Sequence, residues 1–160
     1  MNGKLFSLLI CCLALLCGIS PAYSKDKDNL KLSYEIKCAG TGQQGFYLVE
    51  VTAYAEKKNQ ANMDLIKKCA VHGVIFSGFS GEQGCKSQKA MLNATKEQQY
   101  ADFFNAFFKD DYLRYANAVD PSLSIMKVGK RYAVTATIQV SKDDLRNTLE
   151  KAGILRKLGF

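Results

Sequence analysis

The chain has no tryptophan, one histidine and only two prolines, and past residue 17 it has no long hydrophobic run. The lone His72 leaves no second imidazole for a mononuclear catalytic zinc centre. A membrane helix needs ~20 apolar residues, so no transmembrane span is expected in the mature chain. Cysteine is scarce where it counts: of six, Cys11, Cys12 and Cys17 lie in the first 24 residues, leaving Cys38, Cys69 and Cys85. Three thiols exclude a dense disulfide framework and allow at most one internal bridge. No catalytic or cofactor motif stands out, and no cofactor is expected. Disorder is excluded as well, because 48% of the residues are hydrophobic and only 23% charged.

What is present begins with a leader. Lys4 is a basic start, residues 5–17 form a short apolar run, and Pro21-Ala22-Tyr23-Ser24 places small residues at −3 and −1 before Lys25. Cys17 follows Leu16, which is too large for a lipidation site. Residues 1–24 are therefore expected to be a signal peptide cleaved near Ser24/Lys25, with the product periplasmic or secreted. Residues 25–160 are long enough to bury the core of one domain. Loss of Lys4 leaves 21 basic against 15 acidic side chains, a surplus that favours solubility and acidic partners. No specific nucleic-acid binding is expected.

Hydrophobic periodicity supplies the architecture. Residues 32–38 and 46–55 flank a glycine-rich turn, and Tyr47, Val49, Val51 and Ala53 alternate onto one face. Residues 123–128 and 131–140 flank Gly129-Lys130, with Tyr132, Val134, Ala136, Ile138 and Val140 sharing a face. Asn62 can cap a helix through about Phe76, whose buried face would hold Ile66, Cys69, Ala70, Gly73 and Val74. A capping box at Thr95-Lys96-Glu97-Gln98 would open a long helix striped by Tyr100, Phe103, Phe104, Phe107 and Phe108. The stripe breaks at residues 109–111 and resumes at Tyr112, Leu113, Tyr115 and Val119, and Pro121 ends the region. Ser141-Lys142-Asp143-Asp144 reads as a second capping box, ahead of Leu145 and Leu149. The expected class is α+β, in the order ββα-α-ββα, with a four-stranded antiparallel sheet and helices packed on one face. Both halves read strand–strand–helix, and Tyr47-x-Val49-x-Val51-x-Ala53 beside Tyr132-x-Val134-x-Ala136-x-Ile138 makes a weak internal repeat, a pattern on which strands also converge independently.

Candidate chemistry is sparse. Cys69 and His72 sit three residues apart on a helix, and Cys85 could join them in a Cys/His site for metal or nucleophilic work. Cysteine spacing matches no zinc finger or ribbon, however. Cys69–Cys85 is the favoured disulfide, since both fall in one helix–loop segment. The glycine-rich residues 77–84 follow a helix, at its carbonyl end, which is the wrong polarity for a phosphate loop. Residues 77–94 are nonetheless the longest irregular stretch. Lys127, Lys130 and Arg131 gather at the second hairpin turn as a surface for anionic partners. Asn93-Ala94-Thr95 is a glycosylation acceptor only in a eukaryotic host.

Four segments carry a resemblance: Ala70-Val71-His72-Gly73-Val74-Ile75-Phe76, Gly78-Phe79-Ser80-Gly81, Gln88-Lys89, and residues 97–108 from Glu97 to Phe108. Together they resemble a family of small uncharacterised exported proteins of Bacteroides-type bacteria. The resemblance runs from the first strand to Phe160 and implies a Gram-negative envelope protein. It brings no catalytic residues, and the three mature cysteines are not part of its pattern.

These observations favour an exported, non-enzymatic module that binds another protein or a surface polymer. Two alternatives are an enzyme using Cys69, His72 and Cys85, and a binder of anionic lipid or glycan through Lys127, Lys130 and Arg131.

Overall fold

The structure, a computed structural model, describes residues 32–157 except 82 and 83. The expected leader and the expected mature N-terminus at Lys25 lie outside the described residues. Five antiparallel strands form one sheet: β1 (Tyr34–Gly40), β2 (Phe46–Ala55), β3 (Ala116–Ala118), β4 (Ser124–Val128) and β5 (Arg131–Ser141). Their order is β1-β2-β5-β3, and β4 pairs with the other end of β5 beside β3. The mixed α+β class and the antiparallel sheet are as expected; the count of four strands is not. The additional strand, β3, spans three residues and pairs Ala116 with Val140 and Ala118 with Ile138. So short a segment has no period of its own, and only the long β5 beside it makes it a strand.

Helix α1 (Met63–His72) begins where the sequence indicates, with the Asn62 side chain accepting from the Leu65 amide at 3.0 Å. It runs on into a π-helical turn, Gly73–Ser77, that periodicity did not foretell. The phenylalanine region is two helices, α2 (Ala94–Gln99) and α3 (Ala101–Phe107), broken at Tyr100 as well as at residues 108–111. Its cap is Asn93, which accepts from the Lys96 amide at 3.0 Å, and not Thr95. A 3-10 turn, Asp111–Tyr115, buries Tyr112 and Tyr115 but leaves Leu113 and Val119 exposed.

Helix α4 (Lys142–Lys151) is started differently from the expected capping box. Ser141 Oγ donates to Asp144 Oδ2 at 2.6 Å, and the amides of Lys142 and Asp143 donate to Gly45 O at 3.0 and 3.3 Å. The β1–β2 turn thus satisfies the first amides of α4.

Register puts one set of side chains on one face. Ile36 pairs with Val51 and Val51 with Ala136, so these residues project to the same side. Val49, Val51, Val134, Ile138 and Val140 are wholly buried there, against Ile66, Cys69 and Ala70 of α1 and Leu145 and Leu149 of α4. Phe104, Phe107 and Phe108 close the same core. The opposite face carries Glu50, Thr52, Thr135, Thr137 and Gln139, all part-exposed, with a Thr52–Thr135 hydroxyl contact of 2.9 Å. Antiparallel sheets tolerate such a solvated face. Among the described residues no helix is long and apolar enough to cross a membrane.

Candidate functional site

The sequence proposed Cys69, His72 and Cys85 as a grouping, and the structure separates them. Cys85 is bonded to Cys38 on β1, with their Cα atoms 6.1 Å apart, so the bridge is Cys38–Cys85 and not Cys69–Cys85. Cys69 is free and wholly buried in the core. Burial pushes its thiol up to about 12, opposed weakly by Lys68, so it holds its proton and offers no thiolate. Among the described residues no group of three or more His, Cys, Asp or Glu side chains could hold a metal ion.

His72 has other partners. Its Nε2 lies 3.0 Å from Glu97 Oε1 on α2, and its Nδ1 lies 2.7 Å from the Tyr34 hydroxyl on β1. The Tyr34 oxygen lies 2.9 Å from Ser77 Oγ at the end of the π turn. The carboxylate can only accept, which fixes the direction for a neutral ring. Nε2–H donates to Glu97, Tyr34 donates to Nδ1, and Ser77 donates to Tyr34. This chain ties β1, α1, the π turn and α2 together and ends at the exposed Ser77.

Gly73 allows it. A Cβ there would stand 2.7 Å from Ile36 Cδ1 and 3.2 Å from Tyr34 Cε2, so β1 packs directly on the helix end. That close approach delivers the Tyr34 hydroxyl to both His72 and Ser77. The rings of Tyr34, Phe76 and Phe108 surround the imidazole, with centroids 5.0 to 5.6 Å away.

Burial lowers the pKa of His72 from its ordinary 6.5, and the hydrogen bond and charge of Glu97 oppose that shift without reversing it. Tyr34 is pushed up to about 12, by burial first. A histidine whose folded pKa is depressed favours its neutral form, so its contribution to stability is full above the unfolded value. It is lost as pH falls through 6.5 toward the folded value. Melting temperature should therefore decline on acidification from pH ~7 to ~5.5, and this slope should flatten in a His72→Gln variant. Parallel melts across that window check it; an unchanged slope in the variant would assign the decline to other groups.

The described residues of the 77–94 stretch make more backbone hydrogen bonds than their composition suggests. Cys38 N donates to Ser80 O at 2.9 Å, and Phe79 and Gln88 exchange backbone hydrogen bonds of 2.9 and 3.0 Å. Gly78 has φ +67, and a Cβ there would collide with Gln88 O and Ala90 N, so only glycine fits. Beneath this segment lies a cleft of about 350 Å³, walled by Phe46, Tyr47, Leu48, Phe79 and the Cys38–Cys85 bridge. Its polar handle is the Tyr47 hydroxyl, which donates to Gln88 Oε1 at 3.2 Å beneath Lys142 Nζ. The volume is at the small end of ligand pockets.

The third feature is the β4–β5 hairpin, turned by Gly129 at φ +62. All five residues of β4 are exposed, with Ile125 at 38%, Met126 at 62% and Val128 at 51%. Lys127, Lys130 and Arg131, the basic group singled out from the sequence, belong to the same hairpin. Arg131 stacks over the Tyr54 ring at 5.1 Å and donates to Ser33 Oγ at 3.3 Å. Tyr54 in turn donates to Glu35 at 2.9 Å.

Sequence reasoning found the hairpin, His72 and residues 77–94, and missed the link of Tyr34, Ser77 and Glu97 to His72. No local signal marks that link. No family model matches the chain, and no curated protein or solved structure matches it.

Proposed function

We propose that the protein is an exported module that acts by binding another protein, with the β4–β5 hairpin as its contact surface. The observation that carries this is β4 itself, an edge strand that exposes Ile125, Met126 and Val128 among Lys127, Lys130 and Arg131. Large apolar side chains left exposed on one short element are common at sites of association. The Cys38–Cys85 bridge suits an oxidising compartment, which supports the export read from residues 1–24.

A photocrosslinking residue at Met126, compared with one at Thr137 on the bare sheet face, tests the function in cells that make the protein. A discrete protein adduct is expected from position 126 only, on a chain that begins at Lys25, and Lys127→Glu should suppress it. Equal labelling from both positions, or none from 126, would overturn the assignment.

A further inference from the structure

We propose that β4 is a docking strand, to whose free edge an acidic, extended segment of a partner protein adds as a further strand of the sheet. This rests on the binding function proposed above and supplies its mode. Among the described residues only β5 pairs with β4, and no backbone hydrogen bond outside that ladder reaches residues 124–128. An unpaired strand edge offers a row of amides and carbonyls that an incoming chain can use. β1, at the far side of the sheet, is less open, because Ser80 already bonds to its Cys38 amide.

Charge selects the occupant. Between Asp120 and Asp143 the chain has no acidic residue, and Lys127 and Lys130 fall at the hairpin, while Arg131 is turned over the Tyr54 ring of β2. Asp120, the nearest acid in sequence before the hairpin, accepts from the Ser122 amide at 2.8 Å. Lys127 and Lys130 have no carboxylate within bonding distance among the described residues. A second copy of this chain would bring the same cations edge to edge, and like charges directly opposite are destabilising. The lysine that keeps copies apart therefore favours an acidic strand.

The pleat also sets a pattern. Ser124, Met126 and Val128 project to one side of β4, and Ile125 and Lys127 to the other. An added strand that alternates apolar and acidic residues would lay its apolar side chains beside Met126 and Val128 and its carboxylates beside Lys127.

The probes are a short peptide of alternating glutamate and valine, the same peptide N-methylated on alternate amides, and its lysine–valine counterpart. Each is titrated into the disulfide-bonded mature chain and followed by amide hydrogen exchange. The acidic peptide is expected to protect amides of residues 124–128 and to bind more weakly as salt rises. N-methylation should weaken it by about tenfold or more, because the ladder hydrogen bonds are lost. Equal binding of the N-methylated or the lysine peptide would overturn strand addition, as would protection elsewhere or no binding at all. So would a preference for phosphatidylglycerol vesicles, or a concentration-dependent dimer that protects β4. Each of these failures leaves the crosslinking result at Met126 standing on its own, so the two proposals are separable.

Discussion

Replacing Phe104 by alanine is expected to cost about 3–5 kcal/mol of stability, the range for truncating a buried aromatic side chain. Its ring is only 3% exposed and stands at the centre of an aromatic cluster. Ring centroids of Phe76, Phe103, Phe107 and Phe108 lie 4.9, 5.1, 6.4 and 6.2 Å away. Several of these contacts are edge-to-face, the arrangement aromatic quadrupoles prefer. A domain of this size has ~5–15 kcal/mol in hand, so the loss should lower the melting temperature by roughly 10–20 °C. Phe103, part-exposed at the rim of the cluster, should cost less when truncated. Thermal melts of the two variants decide the matter. A Phe104→Ala protein that melts with the wild type would mean the stripe is not core, and would move the binding surface onto α3.

Loss of the Cys38–Cys85 bridge should have an effect of similar size. The two cysteines are 47 residues apart, and the chain-entropy relation for a closed loop of that length gives about 4 kcal/mol. The bridge holds Ser80 and the Phe79–Gln88 pair close to β1, so its removal should also speed amide exchange at Phe79 and Gln88, which pair beside the cleft. Two measurements check this. The melting temperature should fall on adding reductant, and Cys38→Ser with Cys85→Ser should fall equally and lose all response to reductant. Alkylation of the denatured, unreduced chain from Lys25 onward should modify one thiol, Cys69, and after reduction three. A chain whose melting temperature ignores reductant, or that alkylates at Cys85 before reduction, would contradict the pairing.

Together these features describe a rigid platform. The Phe cluster and α1 fill one face of the sheet, the bridge and the Ser77–Tyr34–His72–Glu97 chain fasten β1 and the 77–94 segment, and the hairpin stands free at the opposite side. A fastened frame with one bare apolar and basic edge is suited to docking, since little order must be gained on binding.

The strands and α1 were legible because their signals are local. Val49, Val51 and Ala53 alternate, Ile66, Cys69 and Ala70 recur at helical spacing, and Asn62 caps the helix it precedes. The basic hairpin could be read for the same reason, since Lys127, Lys130 and Arg131 are neighbours in sequence. The break at Tyr100 and the brevity of β3 depend on packing, which overrides weak local preference. The sulfur pairing could not be deduced, because it depends on where residues 77–94 fold back. They return to β1 rather than to α1, so Cys85 meets Cys38 while Cys69 points into the core. His72 was visible as the lone histidine at the edge of a buried stripe, but its chemistry was not. Its partners lie 38 and 25 residues away, on a strand and on another helix. Hydrogen bonds between distant side chains leave no periodic trace in a sequence, and the tertiary approach of β1 to Gly73 alone brought them together.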